Sequence, residues 1–465
     1  MAPIRRPAEP QIANRYVGTT RLARSFDPSD PSRGIMKPAR TTVETNKPQA
    51  FTVITCKMRI FLVQTAHGLY APSGGYRSNY GFLRQLGAYG HAVGQTCYAF
   101  DNEIDDAVAK ARANGVDPQV KHLPDVDLGP DFETGTKRLD EKAFLESDAL
   151  SSSLAALVNL WRTQIADFQP THVVFNDGLT MKITENMVKM HQHQFKRVCV
   201  VHSAEQLPFG PFCGRFSGHC VSAEAENRMI RHVDGVWAVS QGVRDYALNH
   251  GGLQTTFMPH STWTYLDGGR TPQRRDNVQK TEVGLVNPCA LKGLPIFIEL
   301  AKRLPHIRFI TWKGWGTKKV HLDELAKLPN VRVEQTTTDT EHDIWDRIKV
   351  LLAPSLWLET WGAVITEAQL RGIPVIASDV GGIPEAKLGL PYLVHVRMAT
   401  GEVDPVTGDY IMPQQDIAPW EAALRSLVDD DTTAYEALAD RTARTTVQWI
   451  RGLDQHAQEK WLLNM

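Results

Sequence analysis

The sequence predicts an α/β protein in which two doubly wound parallel sheets face each other across a cleft. Three observations support this class. The chain has 465 residues, which is too long for one ordinary core. Two series of alternating strand-like and helix-like segments follow one another, and the segment LDGGRTPQRRDNVQKTE between them has no apolar periodicity. Alternation of this kind is typical of parallel sheets with helices on both faces, which bind ligands at the carboxyl ends of their strands.

The amino-acid composition limits the classes of binding partner that are expected. Lys plus Arg (51) nearly balances Asp plus Glu (52), so the broad positive field typical of nucleic-acid-binding proteins is not expected. Six scattered cysteines without C-x-x-C spacing favour reduced thiols. We find neither a long apolar run nor the apolar core of a signal peptide. These features predict a cytoplasmic protein with no transmembrane segment and no nucleic-acid partner; oligomerisation stays open.

The domain organisation follows from these patterns. Residues 1–50 contain seven prolines, nine basic and four acidic residues, which predicts a flexible arm; a transit peptide is the sharper alternative. We predict a first Rossmann-like domain at 51–265, a linker at 266–281 and a second Rossmann-like domain at 282–439. A C-terminal helix at 440–465 is predicted to cross back and complete the first domain.

Individual elements are predicted from periodicity. In the first series we predict strands at FTVITCKMRIFLVQTA, GHAVGQTCY, THVVFND, RVCVVHS and VDGVWAVS, and helices after Tyr80 and at MVKMHQHQF. In the second we predict strands at VGLVNP, IRFITWKG, VRVEQ, VLLAPS and PVIASD, and helices at LPIFIELAKRL, EHDIWDRIKV and VITEAQLR. The stretch from Trp420 to Trp461 is helical in pattern.

Two glutamates eight positions apart mark the candidate site. Glu359 follows the strand and loop APSLWL, and Glu367 lies about one turn inside a helix predicted to start near Gly362. Two solvated surface charges are the ordinary alternative. A helix N-terminus attracts phosphate, however, and a carboxylate accepts hydrogen bonds from sugar hydroxyls. A hexose, a diphosphate and a ribose, as in a nucleotide sugar, fit this layout.

These residues belong to a longer motif that resembles the family 4 retaining glycosyltransferases of the GT-B fold. The chain carries a Pro-Ser pair, E-x7-E, a GIPVIAS strand and a D-x-G-G-x-x-E turn: Pro354 and Ser355; Glu359 and Glu367; Asp379, Gly381, Gly382 and Glu385. The resemblance is strong from about Val283 to Glu385. It is looser in the N-terminal half, at Gly74, Gly75 and His202.

The resemblance implies a role for each matching residue. Glu359 would contact the donor sugar and Glu367 the ribose hydroxyls, while Lys292 would neutralise the diphosphate. His202 would lie near the donor sugar, although a buried packing role is the alternative. The backbone near the sugar and phosphates would be that of Gly74, Gly75, Trp361, Gly362 and Ala363. No metal is expected, because Lys292 and the helix N-terminus would offset the diphosphate charge.

One position departs from the family pattern. Five residues before the lysine, the family usually has an arginine, and this chain has Asn287. An amide cannot supply the missing charge. Either another cation takes over, with Lys313 and Arg77 as candidates, or donor binding is weak.

The predicted function is transfer of a hexose, with retention, from a nucleotide sugar to a hydroxyl acceptor that is a small molecule, a sugar or a lipid. A UDP-sugar is the expected donor. Two alternatives stay open: a catalytically silent nucleotide-sugar binder and a GT-B nucleotide-sugar epimerase.

Overall fold

Two parallel β-sheets with helices packed on them organise the chain. The computed structural model describes residues 57–67, 74–98, 108–109, 112, 117–120, 137–190, 193–214, 220–337, 339–429 and 432–465. The predicted N-terminal arm and the beginning of the strand expected from Phe51 lie outside the described residues.

The first sheet has seven strands. Its elements are β1 (Arg59–His67), α1 (Gly74–Ala88), β2 (Ala92–Tyr98), β3 (Asp117–Val120), α2 (Lys137–Ser147), α3 (Ser152–Phe168), β4 (His172–Phe175), α4 (Gly178–Lys189), β5 (Lys196–Val201), α5 (Ala223–Ile230), β6 (Gly235–Ala238), α6 (Gln241–Gly251) and β7 (Thr256–Phe257).

The second sheet has six strands, and three further helices follow it. Its elements are β8 (Glu282–Val286), α7 (Leu294–Arg303), β9 (Arg308–Trp312), α8 (Lys319–Leu325), β10 (Val331–Glu334), β11 (Ile348–Ala353), α9 (Ala363–Leu370), β12 (Val375–Ser378), α10 (Ile383–Ala386) and β13 (Leu393–Val394). The C-terminal helices are α11 (Ala418–Val428), α12 (Thr432–Gly452) and α13 (Ala457–Leu463).

Both sheets have the same strand order, apart from the additional seventh strand of the first sheet. The first runs β3-β2-β1-β4-β5-β6-β7 and the second β10-β9-β8-β11-β12-β13, with every ladder parallel. The order reverses between β1 and β4 and between β8 and β11, where such sheets open a ligand crevice. The prediction of two doubly wound sheets is therefore confirmed.

Side chains of the central strand β1 alternate between two hydrophobic cores, one on each face of the first sheet. Phe61 and Val63 join the core that contains Trp161, whereas Ile60 and Leu62 join the core that contains Trp237. This alternation is the two-residue period of a strand whose two faces are both buried.

The C-terminal helices contact both sheets. Tyr435 and Ala439 of α12 pack in the core of the second sheet. In α13, Leu462 joins a core of the first sheet, and its carbonyl lies 3.0 Å from Nε2 of His172. His91 of the first half lies 2.6 Å from Glu459, with its Nε2 facing the carboxylate.

Two predicted helices were wrong in part or in whole. EHDIWDRIKV forms one π-turn, Glu341–Trp345, and strand β11 already begins at Ile348. The reason is burial: β11 is a central strand, and pairing with β8 and β12 outweighs the helical spacing. MVKMHQHQF is helical only as far as Lys189. The helix starts earlier than predicted, at Gly178, where the Asp177 side chain accepts from Thr180 N at 2.7 Å and caps the helix.

Six of the described helices were missed by the pattern reading, namely α2, α3, α5, α6, α8 and α10. The start of α3 carries a signal that the periodicity analysis did not use. Ser151 accepts a hydrogen bond from Leu154 N at 3.2 Å and caps the helix.

Candidate active site

The predicted site residues lie at the carboxyl ends of strands in both halves. Gly74 and His202 come after β1 and β5, while Lys292 and Glu359 come after β8 and β11. Because β1, β8 and β11 flank the points of strand-order reversal, Gly74, Lys292 and Glu359 are placed where doubly wound sheets bind ligands. His202 follows β5, the neighbour of β4 in the first sheet.

Lys292 and Glu359 form an ion pair within the second half. Lys292 ends a 3-10 turn, and Gly293 follows it with φ +83°. A Cβ at Gly293 would lie 1.9 Å from Pro354 O, so glycine is required for this approach. Ser355 Oγ donates to Glu359 Oε1 at 2.8 Å, and the Lys292 ammonium lies 4.7 Å from the ring centroid of Trp357.

Glu359 is held in its ionised form. Burial raises the pKa of its carboxyl, but the charge of Lys292 and the hydrogen bonds from Lys292 and Ser355 outweigh burial, so the pKa lies below its ordinary value. Glu359 therefore presents a fixed negative charge and acceptor oxygens near neutral pH.

A glycine turn supports the loop between Glu359 and helix α9. Gly382 N donates to Glu359 O at 2.7 Å, and a Cβ at Gly381 would lie 2.0 Å from the same oxygen. Gly362 precedes α9 with φ +83°, and no side chain caps the helix there. The first amides of α9, beginning with Ala363, are thus available to an anion. Trp361 is buried, and its indole donates to Thr366 Oγ1 at 3.0 Å.

Glu367 lies in the second turn of α9 and pairs with a residue of the first half. Arg77 Nη2 is 2.6 Å from Glu367 Oε1. The Glu367 side chain is 9% exposed and that of Arg77 is 45% exposed. This ion pair joins the two halves across the cleft.

His202 lies between the two halves as a neutral imidazole. Its Nε2 is 2.6 Å from Asn79 Oδ1, and its carbonyl accepts from Thr360 Oγ1 at 2.8 Å. Burial lowers the pKa of His202 to about 4. With the proton on Nε2, Nδ1 is a buried acceptor that has no partner among the described residues.

Gly74 and Gly75 start helix α1 beside these groups. A Cβ at Gly75 would lie 3.0 Å from Cβ of His202, and a Cβ at Gly74 would lie 3.9 Å from Cβ of Ala363. The start of α1 therefore faces the start of α9, and a larger side chain at Gly75 would displace His202.

Asn287 has a local structural role at the position of the missing arginine. It adopts φ +61°, a conformation that asparagine tolerates better than most residues. Its Oδ1 accepts from Gly316 N at 3.1 Å, and its buried Nδ2 has no partner among the described residues. Asn287 thus braces the Gly314–Gly316 turn and supplies no positive charge.

Glu385 was part of the sequence motif, but its contact was not foreseen. Its two carboxylate oxygens accept from Gln241 N and Gly242 N, each at 2.9 Å, and so cap helix α6 of the first half. A Cβ at Gly242 would lie 2.8 Å from Gly381 O. The G-G-x-x-E pattern identifies Glu385 in the sequence. Its partners are backbone amides, which no sequence pattern could have indicated.

Within the ranges that the structure describes, no three His, Cys, Asp or Glu side chains are grouped so as to hold a metal ion. None of the helices in these ranges combines the length and the apolar character needed to span a bilayer.

Comparison with known proteins finds a family match in the second half. Residues 283–430 match the family described as Glycosyl transferases group 1. A D-inositol 3-phosphate glycosyltransferase of Mycobacterium marinum is 31% identical over 185 residues, which are 37% of this chain and 35% of that protein. The chain thus spans about a third of the length of this curated relative.

Solved structures extend the likeness to both halves. The Anabaena protein HepE, in complex with UDP and glucose, superposes with a TM-score of 0.58 at 14% identity, covering 87% of this chain and 99% of that chain. Sucrose-phosphate synthase from Thermosynechococcus elongatus gives a TM-score of 0.58 at 15% identity, covering 84% and 94%. At these identities the likeness shows the fold, and the predicted GT-B architecture is confirmed.

Proposed function

We propose, from the premise that the chain carries a Glycosyl transferases group 1 domain in a GT-B fold, that it transfers a hexose with retention. The donor in this proposal is a nucleotide sugar, specifically a UDP-sugar, and the acceptor is a hydroxyl group. The family match and the fold support glycosyl transfer. The donor, the stereochemistry and the residue roles below are our inference.

The arrangement around the start of α9 carries the proposal. An ionised, buried Glu359 and its partner Lys292 lie on one side of an uncapped helix N-terminus, and Glu367 lies one turn along the helix. Amides and a lysine suit a diphosphate, and carboxylates suit the hydroxyls of a hexose and a ribose. The order along the site is then hexose, diphosphate, ribose.

The reaction requires no dedicated base in this scheme. The bond between the anomeric carbon and the diphosphate oxygen breaks as the acceptor oxygen bonds to the same face of that carbon. The acceptor proton passes to the departing phosphate oxygen. Lys292 and the amides of α9 stabilise the negative charge that develops on the diphosphate.

His202 takes part in this scheme as a neutral group. Because its pKa of about 4 keeps the ring uncharged near neutral pH, it can accept a hydrogen bond from a sugar hydroxyl at Nδ1. It is not expected to act as a cation or as a general acid at neutral pH.

Incubation with a panel of UDP- and GDP-sugars, with and without hydroxyl acceptors, tests the proposal. We expect acceptor-dependent nucleotide release, a product with retained anomeric configuration by NMR, and loss of release in Glu359→Gln. A silent binder would bind nucleotide without release, and an epimerase would convert the donor sugar without acceptor. Either result, or an inverted product, would refute retaining transfer.

A further inference from the structure

We infer that Arg77 supplies the second positive charge for the donor diphosphate, and that it exchanges Glu367 for the phosphate when the donor binds. This inference rests on the proposed function and deepens it, because it assigns a donor-binding residue to the first half. It also selects between the two cations, Arg77 and Lys313, that could replace the family arginine.

The need for a second cation arises from the second half itself. Lys292 is already paired with Glu359, which leaves much of its charge balanced before a donor arrives. Asn287 offers only the neutral N–H donors of its Nδ2, which has no partner among the described residues. A diphosphate carries at least two negative charges, so its neutralisation requires a further positive group near the start of α9.

Arg77 is within reach of that helix start. It lies three residues after Gly74, whose Cβ would lie 3.9 Å from that of Ala363. Its guanidinium contacts Glu367, which stands four residues, or about 6 Å along the axis, from Ala363. A rotamer change moves the end of an arginine side chain by a comparable distance, so Arg77 can reach either group.

Competition for Glu367 gives a reason for the exchange. Arg77 binds Oε1 of Glu367, the carboxylate that we propose holds the ribose diol. A diol that uses both carboxylate oxygens displaces the guanidinium from Oε1. The displaced guanidinium, on a side chain that is 45% exposed, then meets the diphosphate as a planar donor of paired hydrogen bonds.

Lys313 lacks a comparable link to the site. It follows strand β9 beside the Gly314–Gly316 turn, and no ion pair connects its side chain to any described site residue. The structure therefore favours Arg77.

Calorimetric titration with UDP and with uridine separates the possible roles of Arg77. In Arg77→Gln we expect UDP affinity to fall about 10- to 100-fold, the range of a charged hydrogen bond. Uridine affinity should stay the same or rise, because Glu367 is released from its partner. Arg77→Lys, which keeps the charge, should recover part of the UDP affinity. Arg425→Gln is the matched control, since Arg425 is 44% exposed and pairs with Glu421 within its own helix.

Each other outcome overturns the inference. Equal losses for UDP and uridine would mean that Arg77 only positions Glu367, and equal gains would mean that it only blocks the site. A selective loss of UDP affinity in Lys313→Gln, and not in Arg77→Gln, would assign the charge to Lys313. GDP and guanosine form a parallel pair of ligands. If the wild-type chain binds neither UDP nor GDP, the proposed function itself fails, which is distinct from a failure confined to the Arg77 variants.

Discussion

The two halves of the molecule share a strand order and differ in what their sequences reveal about function. Both sheets reverse direction at the corresponding place, between β1 and β4 and between β8 and β11. The family match nevertheless covers residues 283–430, in the second half. Strand order depends on periodic burial, which many sequences satisfy, whereas a donor site requires particular residues at particular spacings.

The halves also differ in how they contribute to the site. The second half holds Lys292, Glu359 and the start of α9 in contacts made within itself. The first half contributes through contacts across the cleft: Arg77 with Glu367, His202 O with Thr360, and the α6 amides with Glu385. In the proposed scheme the second half therefore binds the donor, and the first half adds contacts to the same site.

The largest effect is expected at Lys292. Lys292→Ala removes the cation that balances Glu359 and the developing diphosphate charge, and we expect kcat to fall by about 10²–10³ or more. Steady-state kinetics measure this fall in kcat, and Lys313→Ala is the control variant. Near-wild-type turnover would show that the second half does not supply the principal charge.

Substitutions of the two glutamates should differ in effect, one on donor binding and the other on turnover. Glu367→Ala should weaken donor binding by about 1.5–3 kcal/mol, because the ribose contacts do not change during reaction. Glu359→Ala should mainly lower kcat, since the hexose gains positive charge in the transition state. Donor affinity by titration calorimetry and kcat, both measured on the two variants, test these assignments. Unchanged donor affinity in Glu367→Ala would contradict the ribose-binding role of Glu367.

A smaller effect is expected on stability, from His202 in the first half. Its folded pKa, about 4, lies below the ordinary 6.5, so the unfolded state binds the proton more readily. Stability from this group is complete above about pH 6.5 and is lost as the pH falls toward 4. Between pH 7 and pH 5 the loss should be about 2 kcal/mol.

Urea unfolding at pH 7 and pH 5 measures this contribution. His202→Gln should lose less stability on acidification than the wild type, and His193→Gln, at a partly exposed position, serves as control. An identical pH dependence for wild type and His202→Gln would show that His202 is not held neutral in the folded state.

The smallest effect is expected from metal removal. If Lys292, Arg77 and the α9 amides together offset the diphosphate, EDTA should leave the initial rate unchanged. Abolition of activity by EDTA and its recovery with Mn²⁺ would place a metal ion in the role given to these side chains.

More of the candidate site could be predicted from the sequence in the second half than in the first. The E-x7-E spacing, the lysine and the glycine turn are local patterns, so Glu359, Glu367 and Lys292 could be found from the sequence. The Arg77–Glu367 pair spans 290 positions of the chain, from one half to the other, and no local pattern marks it. The cap that Glu385 provides was equally hidden, because its partners are backbone amides.

Errors in the fold have a related cause. The helical spacing in EHDIWDRIKV predicts a helix, but the segment from Ile348 forms strand β11, because its apolar side chains are buried at the centre of a sheet. Tertiary burial overrides local propensity in such a case.

A crystal structure of the chain with UDP is the most direct test of donor binding at α9. We expect the diphosphate at the start of α9 within hydrogen-bond distance of Lys292, the ribose on Glu367, and Arg77 turned from Glu367 toward the phosphates. UDP bound elsewhere, or bound at this helix with the Lys292 and Glu367 side chains turned away, would contradict it.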